Sequence, residues 1–201
     1  MDGKVPEPWT EKGLGYPCLK PLASWMKDLI KRIEFIGGWL YQGPPKSYWV
    51  PSFFFPQGFI TATMQTYARK NRVAIDTLAF RTNVMTFDKS GVTEKPEIGI
   101  YMHGLFMQGA KWDYNKKCVE DSAIGSPIVP FPVIWLEPVL DDELKLDKQF
   151  SCPMYKTSIR QGELSTTGHS TNFCMYLNIP TERDSDYWVR RGTALLCMTD
   201  D

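Results

Sequence analysis

The chain has no surplus of charge: 23 Lys and Arg balance 23 Asp and Glu over 201 residues. Non-specific binding to nucleic acid or to anionic lipid draws on a basic surplus, so neither is expected as a partner. No run approaches the roughly 18 apolar residues of a membrane-spanning helix. The opening residues, Met1 to Trp9, hold no apolar stretch of signal-peptide length. The five cysteines, Cys18, Cys118, Cys152, Cys174 and Cys197, lie far apart with no C-x-x-C pair. That spacing disfavours a disulfide framework and a structural zinc site. No Asn opens a glycosylation sequon, and a reduced, soluble, intracellular protein is expected. The phosphate-cradling pattern G-x-x-x-x-G-K-[ST] is absent, so no nucleotide cofactor is expected on these residues.

Aromatic residues are abundant instead: 7 Trp, 9 Tyr and 11 Phe. Each Trp can bury on the order of 200 Å², so these rings supply a substantial core. From Pro21 the apolar positions Leu22, Trp25, Met26, Leu29, Ile30, Ile33, Ile36 and Leu40 recur at helical spacing and predict a helix with that stripe toward the core. Gly37-Gly38 is expected to end or loosen it. Phe35 and Trp39 fall on the far side, beside Asp28 and Arg32. They are either capped by the residues after Gly38 or form a docking patch for an external surface. A second helix is predicted over 57–70, with Arg69 and Lys70 near its C-terminal end, where cations favour the dipole.

After Ile75 the rhythm changes to alternation, with strands predicted at 78–84, 98–102, 129–136, 150–157, 173–179 and 194–198. Pro130, Pro132, Pro138 and Pro153 confine their strands to edges, ends or bulges. The expected fold class is α+β: N-terminal α-helices over 1–74, then a small, incomplete antiparallel β-barrel over 75–201.

Reacting groups are scarce. Gly168-His169-Ser170-Thr171-Asn172 comes within one residue of a nucleophile elbow, but Asn172 replaces the last glycine and alternation resumes at Phe173 where a helix is required. A turn held by side-chain hydrogen bonds fits better, and a hydrolase built on Ser170 is the less favoured reading. His103 sits mid-strand and is expected to be a hydrogen-bonded structural histidine. Glu120-Asp121 and Asp141-Asp142-Glu143 read as caps and solvated loop charges. No catalytic, cofactor-binding or metal-ligating residue is therefore assigned.

Several strings together carry a family resemblance. Pro6 to Trp9, Gly13 to Trp25, Ser52 to Phe59, Ile75 to Leu78, Met102 to Phe106 followed by Trp112-Asp113, Cys152 to Thr157, Leu164 to Phe173 and Trp188 to Cys197 occur in order. With them the sequence from about Val5 to its end resembles the C-terminal domain of dynein heavy chains. Ser165 to Phe173, with Tyr155-Lys156-Thr157 ahead of it, is similar to the axonemal type. The resemblance implies a non-catalytic domain lying on one face of the AAA+ ring of its own heavy chain, with helices first and an incomplete barrel after them. It also implies that ATP, Mg and microtubule binding belong to the parent protein, in the axoneme of a cilium or flagellum. Phe35, Trp39, Asp28 and Arg32 are the candidate ring-docking residues. A free-standing adaptor module is the alternative.

Overall fold

The computed structural model describes residues 5–6, 20–125, 127–144, 146–160 and 172–198. The first helix, α1 (Leu22–Gln42), begins where Pro21, in extended backbone, offers its carbonyl to the Trp25 N–H at 3.0 Å. Gly37 and Gly38 do not end it. Each costs about 1 kcal/mol in a helix interior, but the turns around them are held down by the packing of Trp39. The helix stops at Gly43, whose φ of 86° is open to glycine and whose N–H closes on the Trp39 carbonyl at 2.9 Å. After β1 (Tyr48–Trp49) comes α2 (Pro56–Asn71). Pro56 occupies the first turn, where its missing N–H is not needed, and Arg69 and Lys70 lie in the last turn.

The strands that follow are β2 (Leu78–Val84), β3 (Ile100–His103), β4 (Phe106–Gln108), β5 (Lys111–Asp113), β6 (Cys118–Glu120), β7 (Ile128–Pro130), β8 (Ile134–Leu140), β9 (Gln149–Tyr155) and β10 (Phe173–Pro180). A short helix, α3 (Ser185–Arg190), and β11 (Ala194–Leu196) complete the order, so the fold is α+β. One sheet runs β1-β3-β8-β2, a second runs β10-β9-β11-β4-β7, and β5 pairs with β6. The pairs are antiparallel except β1 with β3 and β11 with β9. Among the described residues no ladder joins β2 to β10, so the barrel stays open at that seam. The N-terminal 74 residues are not purely helical, since β1 extends a sheet of the barrel.

Two departures from the alternation have local causes, a proline and a bulge. The strand expected at 129–136 is divided into β7 and β8, because Phe131-Pro132-Val133 turns the backbone between the two sheets and Pro132 has no N–H for a ladder. In β10 a bulge between Phe173 and Met175 turns Cys174 inward, leaving Leu177 and Ile179 as the fully buried members of the expected face. The core of the two sheets holds Met102, Leu105, Met107, Ile134, Leu136, Phe150, Met154, Leu195 and Leu196. Trp188 of α3 plugs it, fully buried, with its indole N–H donated to Thr181 Oγ1 at 2.7 Å.

Candidate docking face and the clusters around it

The buried face of α1 is rotated from the one that spacing suggests: of the expected stripe Leu22, Trp25, Leu29 and Ile36 are half-buried, and Phe35 and Trp39 turn inward beside them. Trp39 meets Tyr48, Phe53 and Phe59 edge-on, with ring centroids 5.2, 6.1 and 6.1 Å away. Phe35 meets Trp49 and Phe53 at 6.2 and 6.4 Å. Phe53 in turn stacks on Phe59 at 4.1 Å, so the turns after α1 and the start of α2 build an aromatic nest for the helix. The expected core stripe is corrected accordingly: Met26, Ile30, Ile33 and Leu40 face outward, with Ile33 62% and Leu40 78% exposed, and Tyr41 beside them is 90% exposed.

Asp28 and Arg32 share the inward face with Phe35 and Trp39. Arg32 is only 3% exposed; its Nε donates to Asp28 Oδ2 at 2.8 Å and its second terminal nitrogen to Met198 Sδ at 2.9 Å. Its guanidinium also lies 5.3 Å from the centre of the Phe54 ring. Burial pulls the guanidinium pKa down to about 10 and pushes the Asp28 carboxyl up. All four residues named as a docking patch thus have partners inside this domain. The physical reason is that a helix turns its largest rings, and the charges that can be neutralised there, toward whatever surface its own polypeptide supplies.

His103 is hydrogen-bonded, as expected: Ser47 Oγ lies 3.1 Å from its Nδ1. Burial, reinforced by Lys89, brings its pKa from 6.5 down to about 4. Between those two values the unfolded protein takes up a proton that the folded one refuses, so the stability present above pH 6.5 is lost as pH falls toward 4. The loss is at most about 1.4 kcal/mol per pH unit. His103→Gln should flatten that slope in a urea-denaturation series over the same range; an undiminished slope would assign it to other groups.

The nucleophile-elbow string, apart from Asn172, lies outside the described residues. Asn172 itself is buried and accepts the Thr157 N–H at 3.0 Å while donating to Thr157 Oγ1 at 3.1 Å, a turn-holding role. Cys118, Cys152, Cys174 and Cys197 are buried free thiols, and burial raises the Cys152 pKa far above its ordinary value, which suits inert core residues. Asp121 is less solvated than its sequence context suggests: it accepts from Tyr187 Oη at 2.8 Å and pairs with Arg183 and Arg191, whose guanidiniums flank the same tyrosine ring. Cys118, Glu120 and Glu182 bring one donor atom each within 4.8 Å of one another, but the Lys116 ammonium already sits 2.7 Å from Glu120.

A cleft of about 510 Å³ opens at the seam of the barrel, lined by Arg81–Val84 of β2, Trp112 of β5, and Lys117, Glu143, Gln149 and Pro180. Arg81 is held by Glu137 at 3.1 Å. Two wall residues, each 7% exposed, carry a buried polar atom without a hydrogen-bond partner: Thr82 Oγ1 and Trp112 Nε1. Such atoms cost roughly 1–3 kcal/mol apiece. The residues come from six separate elements and turns, and no local pattern in the sequence joins them.

Comparison with known proteins agrees with this architecture. Residues 1–197 match the family model described as the C-terminal domain of the dynein heavy chain. Human dynein axonemal heavy chain 1 is 43% identical over 196 residues, spanning 98% of this chain and 4% of that protein. Human dynein axonemal heavy chain 6 is 41% identical over 221 residues, spanning 100% and 5%, and mouse dynein axonemal heavy chain 12 is 41% identical over 199 residues, spanning 99% and 6%. The chain therefore spans about one-twentieth of the length of these relatives. With helices, open barrel and full-length match in accord, the chain belongs to the family of C-terminal domains of dynein heavy chains.

Proposed function

We propose that this chain is the C-terminal domain of an axonemal heavy chain and acts mechanically, as a non-catalytic body packed on the AAA+ ring of its own motor. In that role it modulates ATP-driven movement along microtubules in the axoneme of a cilium or flagellum. ATP, Mg and the microtubule are then handled elsewhere in the parent protein. The observation that carries the reading is the outward stripe of α1: Met26, Ile30, Ile33, Leu40 and Tyr41 form an apolar row that the domain leaves uncovered. Gly37 and Gly38 interrupt it, and a Cβ built at either meets nothing within 4 Å. Their smallness is thus not required by this domain's own packing, and it suits the close approach of another surface. The helix, expected to dock through Phe35, Trp39, Asp28 and Arg32, docks in this reading through its opposite side.

The physics of modulation is differential binding. A domain that holds one ring conformation about 1.4 kcal/mol better than another changes their ratio tenfold. The test is to mix the purified domain with the separately expressed ring of its heavy chain. Ile33→Glu should abolish association while leaving the thermal unfolding of the domain almost unchanged, because that side chain is already mostly in water. Association that survives Ile33→Glu would remove α1 as the docking element.

A further inference from the structure

We propose that Cys118, Glu120 and Glu182 form a zinc site that staples the β5–β6 hairpin to the chain leaving β10. They offer one thiol sulfur and one oxygen from each carboxylate, all within 4.8 Å of one another. Backbone pairing brings them together. Val119 bridges Thr181 in parallel, so its neighbours Cys118 and Glu120 share one face of β6 and Glu182, next to Thr181, falls on that same face. The segments that carry the three are fixed by other groups. Asp113 Oδ1 accepts the Asn115 and Lys116 N–H groups at 2.8 and 2.9 Å and holds the turn into β6. Thr181 Oγ1 accepts from the Arg183 N–H at 3.0 Å and from Trp188 Nε1 at 2.7 Å, which holds the backbone on both sides of Glu182. Ligands on such pre-set segments lose little freedom when an ion binds.

The thiol separates this set from an ordinary patch of surface acid. Cys118 is 4% exposed, and its Sγ has no hydrogen-bond partner among the described residues, whereas Cys152 and Cys174 each donate to a backbone carbonyl at 3.8 Å. Its sulfur is aimed instead at two carboxylates, one half-buried and one exposed, which leave a route in from solvent. Lys116, with its ammonium 2.7 Å from Glu120 and its side chain 52% exposed, is the cation that Glu120 has without a metal, and its long stem can swing into water. When Zn²⁺ binds, Cys118 gives up its proton to solvent and coordinates as the thiolate. The ion, the thiolate, the two carboxylates and the nearby ammonium then carry no net charge. Donors around tetrahedral zinc lie roughly 3.5 Å apart, so the set closes by about 1 Å through the rotamers of Glu120 and Glu182, and water completes the coordination. A thiolate beside only two carboxylates selects zinc over magnesium or calcium, which take about six or more oxygen ligands.

The site is independent of α1 and is tested on the whole 201-residue chain, titrated with Co²⁺ and then with Zn²⁺. Cobalt should produce a near-ultraviolet thiolate-to-metal charge-transfer band, and zinc should abolish it by displacement. Cys118→Ser should lose the band. Glu182→Gln, at an exposed position, should weaken zinc about tenfold while leaving the melting temperature of the zinc-free protein unchanged. Lys116→Gln should tighten zinc about threefold, because it frees Glu120 from its ammonium. No band with the unaltered chain, or a band that survives Cys118→Ser, would overturn the proposal. Zinc affinity indifferent to Glu182→Gln, or zinc displaced by an equal concentration of Mg²⁺, would overturn it as well, by reducing the site to a stray thiol or to surface acid. If Cys118→Ser does not fold, Glu182→Gln and Lys116→Gln decide, since opposite changes in zinc affinity are expected of them and equal ones would sink the assignment.

Discussion

Trp39→Ala is expected to destabilise the domain by about 3 kcal/mol, the lower part of the range for removing a large aromatic, because Trp39 is only partly buried. Three edge-on ring contacts are lost with it, each contributing roughly 0.5–1.5 kcal/mol beyond the area buried. Tyr48 and Phe59, which also touch each other, lose a shared neighbour, so the effect should spread into the start of α2. Chemical denaturation of the purified domain measures it. A loss below about 1 kcal/mol would mean that the nest is dispensable and that α1 is held by something else. Leu40→Ala, one residue along on the outer side, provides the control: at 78% exposure it should cost only a few tenths of a kcal/mol in the isolated domain.

That pair of substitutions also shows why the helix was legible while its orientation was not. A 3.6-residue period locates α1 from the spacing of Leu22 to Leu40, and the shift to a two-residue period locates β2, β3 and β8 to β10. Periodicity identifies an apolar stripe without naming its partner. Eight aliphatic and aromatic positions outnumber Phe35 and Trp39, yet the rings of Tyr48, Trp49, Phe53 and Phe59 are shaped to receive the latter. Half of the more populous stripe, Met26, Ile30, Ile33 and Leu40, is then left exposed. Strands β4, β5 and β6 escaped for a different reason, since segments of three residues display little alternation. The seam cleft was invisible because its lining is assembled by topology, from β2 at one sheet's end to Pro180 at the other's. His103 was legible: a lone imidazole on a strand has to find a hydrogen bond nearby, and Ser47 provides it.

Asp28→Asn should cost about 2–3 kcal/mol, far more than an ordinary i,i+4 ion pair on a helix surface. The difference lies in what remains. Arg32 is 3% exposed, and with the carboxylate gone its charge would stay in a site already unfavourable enough to pull its pKa to about 10. Met198 Sδ and the Phe54 ring also hold the guanidinium, weakly, as a thioether and a quadrupole. Adding Arg32→Met to Asp28→Asn should recover part of the loss, because it removes the buried charge and keeps a side chain able to fill the space against Phe54. A double-mutant cycle by chemical denaturation separates this from a general weakening of α1, which would make the two substitutions additive. If Asp28→Asn alone costs under about 0.5 kcal/mol, water reaches the pair and Arg32 is not a buried cation. The same cycle bears on the docking proposed for α1. Arg32 ties the inward face of α1 to Met198 near the end of the described residues, so a loosened pair should let the helix tilt and misalign Ile30 and Ile33 even though neither is altered.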